Sequence, residues 1–427
     1  MSLEDALSHH RAGRLEDAEA AYRTALADEP ENASILHNLG VAVAEQGRTE
    51  EALALFERAV AAEPSYASAH FNRAGALNAL GRLDEAAGAY RRTVALEPDH
   101  YAAHRALGFL WMALDRRDRA MDHFARTQEL RRGDDRLPIA ADSLTKTTRG
   151  KIGHDAAQFR YLASLGKDKG RWDTLARAYD AAAKDIPENG IVALSVGQFD
   201  LLGDSFNTPF YVRSAPELPG GALSDAMSVS DDDGIATIDN LLSDRALALL
   251  RRNLLESTIW SDFAHIDGFL ASYLEDGLAS PLLLQIADEI RTAFPDRLTS
   301  HPLTQGWAFK GIRGDLPIDI HADDAAVSVN FWVTPDAANA NRDTGGLEIW
   351  RGAPPEDWEI SDYGQDIARI RDWLAVNPAD RATIPYRENR AVLFPSRLFH
   401  GSHAPDFQPG YGNMRINITL LFGNAAT

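Results

Sequence analysis

Along the first third of the chain, apolar residues recur at helical spacing in short paired stretches, and the pairing itself repeats. Pro30, Pro64 and Pro98 are spaced by 34, and so are Gly13, Gly47 and Gly81. Ala18, Ala52, Ala86 and Ala120 keep that step, as do Tyr22, Phe56, Tyr90 and Phe124. A fixed period of this kind predicts a stack of helix pairs, each too small to bury its apolar face alone. The glycine falls where the two helices of a unit must turn. The alanine falls where they must approach, with the aromatic ring beside it. The proline ends the second helix, because it cannot donate a helical hydrogen bond. Two more amphipathic stretches, 152–165 and 172–186, predict helices. Residues 216–234, with Pro-Gly-Gly and Ser-Asp-Asp-Asp-Gly, read as a linker. A strand at 235–239 follows, then helices at 241–258, opened by Ser243 or Asp244 as cap, and at 282–294.

From Gly306 the period falls to two. Short runs rich in β-branched and aromatic residues, at 307–312, 318–321, 326–333, 347–350, 391–394 and 414–422, alternate with turns. Regular short strands of this kind predict a sandwich or barrel. Five of the eight tryptophans lie between Trp307 and Trp373, which provides such a core with its bulk.

Composition narrows the chemistry. A length of 427 residues fits two or three domains. The absence of cysteine excludes disulfides, thiolate metal sites and thiol nucleophiles. A net charge of −20 without a basic cluster argues against nucleic acid. No apolar run is long enough for a membrane span, and the first residues lack the features of a signal peptide. A cytoplasmic protein is the expectation. Residues 1–140 carry 23 acids and 17 bases, so most of the acidity belongs to the remainder.

The repeat resembles the tetratricopeptide family. The best unit, 33–66, has Leu36, Leu39, Gly40, Ala52, Phe56, Ala59 and Pro64 at consensus positions. The fourth keeps Leu107, Gly108, Ala120 and Phe124, has Asp115 in place of the turn glycine, and reads as a degenerate cap. The resemblance covers about residues 1–134 and implies an all-α solenoid with a concave groove. Asn38 and Asn72 stand where the family's asparagine often bonds a peptide backbone, and Arg73 and Arg105 lie nearby. These four are candidate peptide-binding residues. The alternative is a set of solvated polar residues on a scaffold.

The C-terminal third carries candidate chemistry in His321-Ala-Asp323. Residues two apart on a strand share a face, so one imidazole and one carboxylate can reach one metal. His400 follows 77 residues after Asp323, in Phe394-Pro-Ser-Arg-Leu-Phe-His-Gly401. Two histidines and a carboxylate on one face leave coordination positions open, as non-haem Fe(II) oxygenases require. Arg415 comes 15 residues later, in Arg-Ile-Asn-Ile-Thr. A guanidinium buried in a β core calls for a carboxylate, which its fork binds bidentately.

His-x-Asp, then Gly345-Gly346-Leu347-Glu348, then Phe-Pro-x-x-x-x-His-Gly, then Arg-x-Asn-x-Thr resemble the 2-oxoglutarate- and Fe(II)-dependent dioxygenases of the prolyl-hydroxylase-like group. The resemblance covers about 235–427. It implies a double-stranded β-helix (jelly-roll) with flanking helices. It also implies Fe(II) on His321, Asp323 and His400, 2-oxoglutarate anchored by Arg415, and O2 as oxidant. Asn417 and Thr419 share the arginine's face as cosubstrate-binding candidates, although many relatives have serine where Asn417 stands. The His400–Arg415 interval exceeds the family's usual one, with 409–413 as an apparent insertion. His403 stands at the more usual distance, so both histidines remain candidates, and His400 is preferred on its segment. Asp324 is an alternative to Asp323 on the opposite strand face.

The whole chain therefore reads as a multidomain α + β protein: repeats over 1–134, a helical bridge and linker over 135–233, and an oxygenase-like domain over 234–427. The expected function is hydroxylation of a peptide or protein side chain captured by the repeat groove. Hydroxylation of a small amine-bearing metabolite, with the repeats docking a partner, is the first alternative. A catalytically inactive scaffold is the second.

Overall fold

A computed structural model describes residues 3–132, 146–166, 168–194, 211–263, 268–313, 316–352, 354, 355, 358 and 366–424. Two compact units emerge, Met1–Leu130 and Arg131–Thr427. The expected boundary at 134/135 lies outside the described residues.

The first unit is a series of helix pairs: α1 (Leu3–Arg11) and α2 (Leu15–Asp28), α3 (Ala33–Ala44) and α4 (Thr49–Ala62), α5 (Ala67–Ala79) and α6 (Leu83–Leu96), α7 (Tyr101–Ala113) and α8 (Arg117–Arg132). The period-34 residues do the work their chemistry suggested. Gly13, Gly47 and Gly81 turn the chain with φ of 70°, 79° and 72°. In the fourth pair Asp115 adopts the same left-handed conformation at φ 56°, so the turn persists without its glycine. A Cβ on Gly40 would lie 2.6 Å from the Phe56 ring, and one on Gly108 would lie 2.5 Å from Phe124. Those glycines therefore let the aromatic ring of the second helix seat against the first.

The second unit opens with the helices Arg149–Ser164 and Lys169–Ala183. They bury Ile152, Phe159, Trp172 and Tyr179 together. Two short strands, β1 (Lys146–Thr147) and β2 (Val192–Ala193), pair beside them. The sheet-rich part contains β3 (Ser228–Asp232), β4 (Ile235–Asp239), β5 (Phe269–Tyr273), β6 (Leu303–Gly311), β7 (Val327–Trp332), β8 (Leu347–Trp350), β9 (Arg381–Ile384), β10 (Ala391–Pro395), β11 (His400–Ser402) and β12 (Ile416–Phe422). Seven of them form an antiparallel sheet in the order β3-β4-β10-β7-β12-β6-β5. A second antiparallel sheet has the order β11-β8-β9. Trp332, Val392 and Phe394 of the large sheet pack against Leu347, Ile349 and Ile384 of the small one. Neither sheet closes on itself among the described residues.

Two expectations need correction. The linker at 216–234 contains β3, which pairs with β4 through a turn at Asp233 (φ 51°) and Gly234 (φ 87°). The expected strand at 318–321 is an extended segment that joins a sheet partner only at His321, through an isolated bridge to His400. Its side chains follow from that bridge and not from a strand's alternation.

Candidate metal centre and its anion pocket

The bridge between His321 and His400 sets the site. The two residues exchange backbone hydrogen bonds, His321 N to His400 O at 2.9 Å and His400 N to His321 O at 2.8 Å. Directly paired residues project to the same side, and the imidazole centroids lie 4.3 Å apart. Asp323 comes in beside them, its backbone N donating to Ser396 O at 3.1 Å. One ligand atom from each of His321, Asp323 and His400 lies within 4.8 Å of the others.

The orientation of both rings follows from their outer nitrogens. His321 Nδ1 meets Asp319 O at 2.8 Å, and His400 Nδ1 meets Leu398 O at 2.9 Å. A carbonyl only accepts, so each Nδ1 carries the proton, and in the neutral rings each Nε2 presents a lone pair. Those lone pairs face a carboxylate: His321 Nε2 is 3.7 Å from Asp323 Oδ1, and His400 Nε2 is 3.3 Å from Oδ2. Three electron-pair donors converging in a buried site need a cation between them, either a metal or a proton. Burial would raise the Asp323 carboxyl, but the charges of His400 and His321 and the Ser328 hydrogen bond bring it down to about 2. Burial depresses the His400 imidazole, and Asp323 more than reverses this, so its pKa is raised. The donor set, with ring tautomers fixed from behind by carbonyls, fits a divalent metal with open positions.

The other end of the same cavity is a cationic pocket. Arg415, just before β12, is buried. Its Nε donates to Gly345 O at 2.8 Å and its Nη1 to Asn417 Oδ1 at 3.3 Å. No carboxylate among the described residues pairs with it. Burial lowers its pKa to about 10, against a small opposing influence of Tyr386. A buried guanidinium without a counter-charge is costly, and an anionic ligand would relieve it. The cavity runs from the two histidines and Asp323 to Arg415, with Trp332, Phe309 and Leu347 as apolar wall.

The strand period explains how these residues converge. Ser328, Asn330 and Trp332 share one face of β7, and Asn417 and Thr419 share one face of β12. Thr419 is paired with Asn330 in register, and their side chains hydrogen-bond. Trp307 and Phe309 line the cavity from β6, while Lys310 points to the other side. The Gly345-Gly346 pair also finds its reason here. Gly345 sits at φ 75°, and its carbonyl holds the arginine. A Cβ on Gly346 would fall 1.9 Å from Ile384 O.

Of the sequence candidates, His321, Asp323, His400, Arg415, Asn417 and Thr419 all border this cavity. His403 does not join the cluster; it lines a separate cavity with Glu348 and Trp350. Asp324 is exposed. Ser328, Ser396, Asn330 and Gly345 were not singled out by role. The signal was present for the first and third, because Ser328 and Asn330 are polar positions two apart within an apolar strand.

The four groove candidates belong to the first unit. They lie on α3, α5 and α7. Asn72 Nδ2 donates to His37 Nε2 at 2.8 Å, and Arg73 faces Glu57 at 3.7 Å. Arg105 lies over the Phe109 ring at 5.4 Å. Asn38 is half-buried.

The family model described as tetratricopeptide repeat matches residues 3–67, 44–96 and 79–135. The N-terminal third carries tetratricopeptide repeats. Among similar solved structures, a point mutant of MamA is 26% identical, covering 30% of this chain and 74% of that one at a TM-score of 0.28. MamA from Desulfovibrio magneticus RS-1 is 24% identical, covering 31% and 76% at 0.30. The first repeat domain of Spaghetti (RPAP3) bound to an HSP90 peptide is 28% identical, covering 26% and 89% at 0.26. No curated protein matches the chain.

Proposed function

We propose that this protein is an Fe(II)- and 2-oxoglutarate-dependent oxygenase that hydroxylates a polypeptide side chain, with the tetratricopeptide repeats engaging the polypeptide. The observation that carries the reading is the pairing, in one cavity, of a two-histidine-one-carboxylate cluster with a buried arginine that lacks a counter-charge. The two facing sheets are then the halves of a double-stranded β-helix core, with the site between them.

Bound at this site, Fe(II), 2-oxoglutarate and O2 would supply oxidative hydroxylation of a C–H bond. His321 and His400 offer Nε2 to the metal, with Nδ1 held by carbonyls so that neither ring needs to turn. Asp323 supplies the negative charge that a neutral ligand could not. Arg415 would pair with the distal carboxylate of 2-oxoglutarate through its Nη groups, while its Nε is held by Gly345 O and its Nη1 also donates to Asn417 Oδ1. Asn417 and Thr419 complete the polar face beside it. Trp332, beside Arg415, forms with Phe309 and Leu347 the apolar wall of the cavity. His321, about 29% exposed at its side chain, is the most accessible ligand, so substrate approaches from its side. The repeat array provides the polypeptide contact, since stacked helix pairs present an extended concave binding surface. The acidic surface of the second unit favours a basic segment.

The test is oxygen consumption and succinate release on addition of Fe(II) and 2-oxoglutarate, together with calorimetric titration of the apo protein by both. Binding of each, and turnover of 2-oxoglutarate even without polypeptide, are expected. Absence of metal binding would overturn the proposal. Arg415→Met should weaken 2-oxoglutarate binding by at least ~10-fold while metal binding is retained, as expected for loss of a bidentate charged pair.

A further inference from the structure

Asp323 lies outside any regular strand, so no ladder holds its side chain. What does hold it is a pair of buried hydroxyls. Ser328 Oγ, on β7, donates to Asp323 Oδ2 at 2.7 Å. Ser328 Oγ is also 2.8 Å from Ser396 Oγ. Because the Ser328 proton is spent on the carboxylate, Ser396 must be the donor of that second bond. The Ser396 carbonyl also accepts the Asp323 backbone N–H, and its own N donates to Ala326 O at 3.1 Å. Both serines are 0% exposed. A buried hydroxyl in an apolar strand is unfavourable unless it is paired, and here each is paired toward the same carboxylate.

We infer that Ser328, backed by Ser396, is a positioning residue that orients the Asp323 carboxylate toward the metal site. Its hydrogen bond fixes Oδ2, and with it the plane of the carboxylate that faces both imidazoles. The inference rests on the metal-centre reading above. Outer hydrogen bonds of this kind orient metal ligands, and their loss lowers affinity by about 10- to 100-fold. The relay runs from the turn after β10, through β7, to a ligand two residues beyond an isolated bridge and outside any regular strand. That explains why a Pro-Ser turn belongs in the same motif as His400.

The experiment titrates the full-length apo protein with Co(II), following the d–d absorption bands and the affinity by calorimetry. Wild type, Ser328→Ala, Ser396→Ala and Asp323→Ala are compared, with circular dichroism to check folding. Asp323→Ala should lose the site. Ser328→Ala should bind Co(II) about 10- to 100-fold more weakly, with shifted bands as the freed carboxylate changes its mode of ligation. Ser396→Ala should change both readouts in the same direction by less. Folded serine variants with wild-type affinity and wild-type bands would overturn the inference while leaving the metal centre standing. A wild-type protein without Co(II) binding would overturn the metal-centre reading itself. If Ser328→Ala does not fold, Ser396→Ala decides by the same two readouts.

Discussion

His400 and His403 are three residues apart and differ in what their backbone does. His400 is bridged to His321, and its ring faces Asp323; His403 turns into another cavity. His400→Ala should therefore abolish metal binding in calorimetry, while His403→Ala should leave the affinity nearly unchanged. Equal losses in both variants would contradict the assignment. The two glycines before β8 are residue-scale constraints of a different kind. A methyl on Gly346 meets a backbone carbonyl at 1.9 Å, which no side-chain motion relieves. Gly346→Ala should cost several kcal/mol, on the order of an overpacked core position or more. Gly345→Ala should cost about 1–2 kcal/mol for its left-handed φ, and more where the Phe407 ring, 2.9 Å from the new Cβ, must shift. The Gly345 change should also weaken 2-oxoglutarate binding, because the carbonyl that holds Arg415 would shift. Thermal unfolding with and without the ligand separates the two effects.

Among the helices, the period-34 positions explain one another. The turn after α7 offers a clean test, since Asp115 stands where three other units have glycine at φ 70–79°. Asp115→Gly should stabilise the array by about 0.5–1 kcal/mol, because glycine carries no Cβ penalty there. A lowered melting temperature would show that the aspartate side chain compensates. At the start of α3, Asn32 Oδ1 accepts from Ser34 N and Ile35 N, both at 3.1 Å. Asn32→Ala should cost about 1 kcal/mol through loss of that cap. Among the strands, alternation is what delivers chemistry. On β6, Phe309 faces the cavity and Lys310 faces away, so a one-residue slip would put a lysine into the anion pocket and a phenylalanine into the opposite layer.

At the scale of the whole molecule, that buried lysine contributes to a pH dependence of stability. Lys310 is 0% exposed, and its Nζ lies 3.6 Å from the Tyr411 ring centroid and 5.2 Å from that of Trp260, with no hydrogen-bond acceptor among the described residues. Burial holds its pKa well below the ordinary value, against a small opposing influence of Asp155. The native state therefore favours the neutral amine. At pH below the native pKa both states bind the proton, and the native one bears the cost of a buried charge. As pH rises toward the unfolded pKa near about 10.4, the unfolded state binds more protons, so stability increases. Lys151, lowered to about 8 by burial, acts in the same direction. Denaturant melts from about pH 7 to about pH 10 should show this rise. Lys310→Met should be more stable than wild type near neutral pH and show a smaller rise. An unchanged slope would mean that Lys310 is charged and stabilised in the fold.

The helical repeats were legible without coordinates because helix packing is local: a 34-residue period and 3.6-residue spacing are written in consecutive residues. The ligand candidates were legible for a similar reason, since His-x-Asp and Phe-Pro-x-x-x-x-His-Gly are short segments. Their convergence was not. His321 and His400 meet through one bridge between segments far apart in sequence; the local segment favoured His400 and the interval to Arg415 favoured His403, and that bridge brings His400 to the cluster. The strand expected at 318–321 has the right alternation, but its backbone meets the neighbouring segment only at Ile318 and His321, through single hydrogen bonds and one isolated bridge instead of a ladder. Strand β3 was hidden in a polar Ser-Asp-Asp-Asp run, since an edge strand exposed to water needs no apolar face. The glycine pair and the serine relay show the limit most clearly. Residue types alone raised the expectation of a metal and an anion here. The tertiary structure decided which carbonyl grips the arginine and which hydroxyl grips the carboxylate, because those bonds depend on strand register, a long-range property.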